Sequence, residues 1–242
     1  MLTPHPNPSV GAEPGDWERS LAIAVGAVRL EGELNIGCEA RGLVLFAHHS
    51  GSNHRNRRDR FVARALQQRA FGTLLFEPLA RAERRLDAAD ERLRFDVRLL
   101  AQRLALVTDW AQSQSLTAQL PLAYFGVGMG AAAALVAAAQ RPELVRAVVC
   151  HGGRPDLAGS ALSRVRAPSL LLLRGGDPIA LERAEHARRQ LPTSARLAVL
   201  PDGTRGFEDV AGLATAADLA AGWFSANLTR GPTPSSRTTS QS

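Results

Sequence analysis

Two groups of side chains that could carry out nucleophilic chemistry follow apolar runs of this sequence. Cys150 ends the run RAVVC, and the triplet His48, His49 and Ser50 follows the run GLVLFA. A thiol or hydroxyl becomes a useful nucleophile when a nearby histidine takes up its proton. Cys150 or Ser50, with His48 or His49 as the base, is therefore one candidate active site.

Each of these residues also has an ordinary structural interpretation, which we favour. A free cysteine is usually a small core residue. Cys150 and its neighbour His151 would point to opposite faces of a strand, which makes His151 a poor base for the thiol. Ser50 lies in the stretch HHSGS, where a hydroxyl commonly makes turn hydrogen bonds.

Composition and charge narrow the class of protein. The 242 residues are 45% hydrophobic, enough for one α/β domain with a sizeable core. All 29 basic residues are arginine, which indicates a coding bias more than a selected basic surface. The densest basic stretch, HRNRRDR at 54–60, has no interleaved aromatic residue and contains Asp59. We therefore expect a solvated, partly paired face there and no nucleic-acid partner.

No stretch predicts a membrane partner, export or a bound metal. The apolar runs are shorter than a membrane span, and the N-terminal residues lack the basic and apolar regions of a signal peptide. Cys38 and Cys150 are far apart and lack metal-ligand spacing, so neither a metal, a cofactor nor a disulfide is predicted. A soluble protein of the reducing cytoplasm is expected, and its oligomeric state is left open.

Apolar strands and amphipathic helices alternate between residues 17 and 228, which we expect to form one domain. LAIAVGAVRLEGELNI alternates as a β-hairpin does, and six short buried strands follow it. Helices are predicted between them, at 60–71, 93–112, 131–140, 155–162, 181–190 and 213–227. This order predicts a mostly parallel sheet with an N-terminal antiparallel hairpin and helices on both faces. The ends, 1–16 and 229–242, are predicted to be disordered because they hold too little apolar surface.

A glycine-rich turn in mid-chain carries a resemblance to a known family. The stretch YFGVGMGAAAALVAAAQRP joins a buried strand to an alanine-rich helix. Together with GLVLFAHHSGS, LRFDVRLLAQRL, GGRPDLAG and RAPSLLLLRGGD, it resembles the dienelactone hydrolase-like group of α/β-hydrolases. The resemblance implies the α/β-hydrolase fold and a catalytic triad in the chain order nucleophile, acid, histidine.

Two of the three triad positions that the resemblance implies are substituted. The nucleophile position is Gly128, in GVGMG where the family motif is G-x-S-x-G; the acid position is Asp177; and the histidine position is Arg205. Glycine offers no attacking atom, and arginine does not accept a proton at neutral pH. We therefore predict a pseudoenzyme that binds a small ligand, in one interpretation an anionic one, or a partner protein. The alternative is an ester or lactone hydrolase with a rebuilt site.

The resemblance also implies where an oxyanion hole and a charge pair would lie. The backbone N–H of Met129 and one near His49 or Ser50 correspond to the oxyanion hole. His49 replaces a glycine of the group, so its side chain would narrow the pocket. Arg205 is expected to form an ion pair with Asp177, although it and Arg174 could instead face an anionic ligand.

Overall fold

The computed structural model describes residues 17–48, 56–192, 194–200 and 210–228. An eight-stranded sheet runs through this part of the chain in the order β1-β2-β4-β3-β5-β6-β7-β8. The strands are β1 (Trp17–Val25), β2 (Val28–Ile36), β3 (Leu43–Ala47), β4 (Gly72–Phe76), β5 (Leu122–Val127), β6 (Val145–His151), β7 (Ser169–Arg174) and β8 (Arg196–Leu200). β1 and β2 form an antiparallel hairpin, β2 is antiparallel to β4, and the other pairs are parallel. The predicted sheet is confirmed.

Helices cover both faces of the sheet, as predicted. They are α1 (Arg57–Gln67), α2 (Arg81–Asp90), α3 (Val97–Ser113), α4 (Met129–Gln140), α5 (Pro178–Gln190) and α6 (Val210–Asn227), with 3-10 helices at Leu93–Phe95 and Pro155–Arg164. One hydrophobic core lies between the sheet and α3, α4 and α5, and a second lies between the sheet and α1 and α6. The central strand β5 contributes to both, because Tyr124 faces the first core and Phe125 the second.

The structure differs from the sequence prediction around helices α2 and α3. Helix α2 was not predicted, because it has no apolar stripe: its only buried residue is Asp87, and Leu86 is 70% exposed. The predicted helix start at residue 93 is wrong, since α3 begins at Val97. The carboxylate of Asp96 caps α3 by accepting hydrogen bonds from the backbone N–H groups of Arg98 and Leu99 in the first turn of the helix.

Candidate functional site

Gly128 occupies a sharp turn between the end of β5 and the start of α4. Its backbone angles are φ 61° and ψ −121°, a backbone conformation that residues with a Cβ rarely adopt. A strained strand-to-helix turn of this kind is how the α/β-hydrolase fold presents its nucleophile. The structure therefore shows a strand-to-helix turn of this shape, hereafter the elbow, with a glycine at its apex.

Glycines on either side of the elbow are required by close packing. A Cβ added at Gly130 would overlap the carbonyl of Ala47 at the end of β3, and one added at Gly153 would overlap the carbonyl of Gly128 itself. A Cβ at Gly126 would lie 2.6 Å from the carbonyl oxygen of Gly130. The first turn of α4 thus lies directly against the backbone of β3.

Asp177, the position that matches the acid of the family, follows strand β7. Because β5, β6 and β7 are parallel neighbours, Asp177 lies at the same edge of the sheet as Gly128, with β6 between them. Its exposed carboxylate caps helix α5, accepting a hydrogen bond of 2.9 Å from the backbone N–H of Ala180. Arg205 lies outside the described residues, so the predicted ion pair with Asp177 stays a prediction.

Of the expected oxyanion-hole residues, the structure describes one. Met129 is the first residue of α4 and packs partly buried against the first core. His49 and Ser50 lie outside the described residues. The segment that contains them continues from His48, whose backbone nitrogen lies close to Gly130 at the start of α4. His48, the last described residue before this gap, therefore lies beside the start of α4.

Cys150, the candidate substitute nucleophile, lies inside the first hydrophobic core. It is paired with Gly126 across β6 and β5, is 1% exposed, and its thiol donates to the carbonyl of Ala131 at 3.6 Å. Burial raises the pKa of this thiol to about 12. Since the thiolate is the nucleophile, this placement favours the structural interpretation of Cys150.

His48 and Asp59 form a buried pair beside the elbow. Both are 3% exposed, and the imidazole Nδ1 lies 3.8 Å from the Asp59 carboxylate. Burial raises the pKa of Asp59 to about 7, an effect that the positive charge of Arg58 opposes. The prediction of a solvated face at 54–60 is wrong for Asp59. Helical spacing could have shown this, because Asp59 lies one turn before the buried Val62 of α1.

His151 ends strand β6 in a positively charged environment. Its ring packs against Phe125, with ring centroids 6.1 Å apart. Burial, together with the positive charges of Arg174, which ends β7, and Arg58, in the first turn of α1, lowers its pKa to about 4. The imidazole is therefore neutral at neutral pH. The sequence prediction named Arg174, together with Arg205, as a possible ligand-facing residue, and it treated Arg58 only as part of the basic stretch at 54–60.

The described residues contain no group of three His, Cys, Asp or Glu side chains placed to hold a metal ion. Within the same parts of the chain, no helix combines the length and apolar character needed to cross a membrane. The described residues at this edge of the sheet include the glycine turn at Gly128, the buried pair His48 and Asp59, and His151 at the end of β6. The described residues place no activated nucleophile at the elbow, where residue 128 is a glycine and the nearby Cys150 thiol is buried.

Several solved structures have the same fold. A crystal structure of dienelactone hydrolase from Anabaena variabilis is 46% identical, with a TM-score of 0.85, and the match covers 88% of this chain and 98% of that one. A dienelactone hydrolase-like promiscuous phosphotriesterase from metagenomic libraries is 18% identical, with a TM-score of 0.69, over 88% of this chain and 99% of its own. At that identity the second likeness shows the fold alone.

Sequence comparison finds relatives that are longer than this chain. A Mycobacterium tuberculosis protein, from strains CDC 1551 and H37Rv, carries the provisional name phosphoribosyl transferase and is 44% identical over 224 residues. The match covers 93% of this chain, but the chain spans only about half the length of these curated relatives, 49%. No family model matches. The extensive match in sequence and fold with the Anabaena enzyme shows that this chain belongs to the dienelactone hydrolase family of α/β-hydrolases.

Proposed function

We propose that this chain is a non-catalytic member of its family that binds a small molecule in the cleft above the elbow. One observation carries the proposal: Gly128 occupies the turn that presents a nucleophile, with φ 61° and ψ −121°, and has no side chain to present. Because a glycine at the elbow cannot attack a carbonyl carbon, residue 128 cannot form the acyl-enzyme of a serine or cysteine hydrolase.

The surrounding groups support loss of catalysis. Cys150 holds its thiol inside the core, hydrogen-bonded to a backbone carbonyl and with a raised pKa. Asp177 uses its carboxylate as a helix cap. The sequence places arginine, which is not a base at neutral pH, at the matched histidine position 205. A triad enzyme reduced in this way retains only about a thousandfold acceleration over water, from binding and the oxyanion hole.

A second candidate, an ester or lactone hydrolase with a rebuilt site, is supported by the His48–Asp59 pair. A histidine oriented by a carboxylate is the arrangement of a general base; His48 Nδ1 lies 3.8 Å from the Asp59 carboxylate, beyond hydrogen-bond distance, and His48 lies beside the start of α4. In that reading His48 would take a proton from Ser50 or from water. The burial of both partners, which keeps His48 from solvent, makes it the weaker candidate.

Turnover measurements separate these two functions. The purified chain is incubated with p-nitrophenyl esters, a dienelactone and thioesters, and with a fluorophosphonate that labels activated serines. We expect no more hydrolysis than the residual acceleration given above, and no labelling. The same assays on Cys150→Ala, His48→Gln and Asp59→Asn should give the same rates. Arg64→Gln, at an exposed position of α1, is the control.

The non-catalytic proposal fails if the wild-type chain turns over any of these substrates well above background and one active-site variant abolishes that turnover. The control variant must keep the full rate for that conclusion to hold. Loss in His48→Gln and Asp59→Asn would establish the rebuilt site, and loss in Cys150→Ala would establish a cysteine nucleophile.

A further inference from the structure

Helix α2 is attached to the rest of the fold in a different way from its neighbours. All of residues 81–94 are described, and none of them belongs to either hydrophobic core. The only buried residue of α2 is Asp87, and its one large apolar side chain, that of Leu86, is 70% exposed. By contrast, α1 and α3 each bury several apolar side chains. Burial of apolar surface therefore does not hold α2 in place.

Two ion pairs attach α2 to its neighbours. The carboxylate of Glu83 accepts a hydrogen bond of 2.5 Å from the guanidinium of Arg103 on α3. The next residue, Arg84, donates to the carboxylate of Glu31 on β2 at 3.1 Å. The pair with Arg103 is the more buried, because its side chains are 12% and 24% exposed, against 28% and 55% for the pair with Glu31. Polar contacts therefore attach α2 to the body of the fold.

The two pairs lie on opposite faces of the sheet. Leu30 and Leu34 of β2 belong to the first core. Glu31 and Glu33 alternate with them and so project from the other face of the strand. In agreement with this, Glu33 forms an ion pair with Arg60 of α1, the helix that packs on the second core. Since α3 packs on the first core, α2 reaches both faces and crosses the edge of the sheet.

The edge that α2 crosses is the one that carries Gly128. Helix α2 follows the carboxyl end of β4, and β3 is parallel to both β4 and β5. The carboxyl ends of these three strands therefore lie at one edge, with β3 between β4 and the elbow. Movement of α2 would change access to this edge of the sheet.

Residues 81–94 form a unit with defined ends. Before the unit, Leu79 is fully buried. After α2 the chain turns at Glu91, which has a left-handed backbone conformation with φ 57°. The carboxylate of Asp87 joins this turn to the helix, since it accepts hydrogen bonds from the backbone N–H groups of Leu93 and Arg94 and from the Arg94 guanidinium. These contacts lie inside the unit, so they can persist when it moves.

We propose that residues 81–94 are a charge-latched flap, which opens away from the edge of the sheet while both hydrophobic cores stay intact. Opening takes no residue out of a core, so it costs less free energy than unfolding of the domain. Once detached, a helix of ten residues is only marginally stable in water, and its backbone amides exchange with solvent. This inference goes beyond the proposed binding function and does not depend on it.

Hydrogen exchange of the whole wild-type chain, followed by mass spectrometry at pH 7, tests the flap. Each rate is corrected for the intrinsic exchange of its sequence. We expect the amides of α2 to exchange at least about tenfold faster than those of α3, because a local opening needs less free energy than global unfolding. Raising sodium chloride from about 0.02 M to about 1 M should speed the exchange of α2 severalfold while α3 changes less, since salt screens ion pairs.

Variants in the body of the fold test the latch without changing the sequence of α2. Arg103→Gln removes the charge that holds Glu83, and exchange of α2 should become about tenfold faster, as expected for the loss of one charged hydrogen bond. Glu31→Gln weakens the more exposed pair, and the expected acceleration is about two- to fivefold. Arg166→Gln is the control, because its exposed pair with Glu143 lies at the opposite edge of the sheet.

Three results would overturn the proposal. These are protection of α2 equal to that of α3 in the wild type, equal acceleration of α1, α2 and α3 in the variants, or the same salt response in α2 and α3. Glu31 is 55% exposed, so its variant remains informative if Arg103→Gln does not fold. None of these results bears on ester turnover or ligand binding, so the flap and the proposed function can fail separately.

Discussion

Introducing together the two triad groups that the family resemblance implies tests whether the elbow of this protein is a decayed catalytic site. The double variant Gly128→Ser, Arg205→His returns a hydroxyl to the apex of the turn and a base to the position that Asp177 would orient. Serine at φ 61° and ψ −121° takes on backbone strain of about 1–3 kcal/mol. For a domain of this size that corresponds to a melting temperature lower by about 2–12 °C.

The assay is hydrolysis of p-nitrophenyl acetate and butyrate, together with labelling by a fluorophosphonate. Triad residues act as a unit, so each single variant should stay near background while the double variant exceeds both by at least about a hundredfold. His49, which replaces a glycine of the family at the expected oxyanion hole, is the main obstacle, and the triple variant with His49→Gly removes it. If the triple variant is folded and remains inert on every ester, the cleft has been rebuilt for another purpose and the reasoning is refuted.

Other predictions concern stability and reactivity. Folding raises the pKa of Asp59 from 3.8 to about 7, so the folded chain holds this proton more tightly than the unfolded chain does. The free energy of unfolding of the wild type should therefore fall relative to that of Asp59→Asn as pH rises from 3.8 to 7, by up to about 4 kcal/mol. Equal pH profiles of the two proteins in denaturant titrations would contradict this. Iodoacetamide at pH 8 should alkylate the exposed Cys38 but not the buried Cys150 in the native chain. After unfolding, mass spectrometry should count both cysteines as alkylated. Labelling of Cys150 in the native chain would refute its burial. Asp177→Ala should lower stability by about 1 kcal/mol through loss of the α5 cap, with Asp177→Asn close to wild type in the same melts; an unchanged Asp177→Ala melt would show that the cap contributes nothing. Gly130→Ala should unfold the chain or displace α4, because its Cβ would overlap the Ala47 carbonyl, and a wild-type melting temperature in that variant would be inconsistent with this packing.

The sheet could be predicted from sequence because burial on both faces makes each parallel strand a continuous apolar run. Helix boundaries were less predictable where a polar side chain decides them. The Asp96 cap delays the start of α3 although apolar spacing extends further back. Helix α2 has no apolar stripe for a periodicity argument to detect.

The candidate site was predictable only where a motif marks it. The resemblance located Gly128, Met129 and Asp177 because each follows a recognisable strand. The pairing of His48 with Asp59 and the approach of Arg58 to His151 depend on strand register and on how α1 packs across the sheet. Neither relation appears as a spacing along the chain.

The packing of the glycines around the elbow has an evolutionary consequence. Gly126, Gly130 and Gly153 are required by backbone contacts with their neighbours and not by any chemistry at residue 128. Selection for a folded protein therefore preserves the elbow whichever residue occupies its apex. A glycine codon can become a serine codon through one nucleotide change. A single mutation at residue 128 can therefore place a hydroxyl at the apex of the elbow in a descendant of this chain. By the same reasoning, glycines at these spacings in a related sequence indicate that the turn packs in the same way. They do not indicate activity, which has to be judged from the residue that corresponds to Gly128.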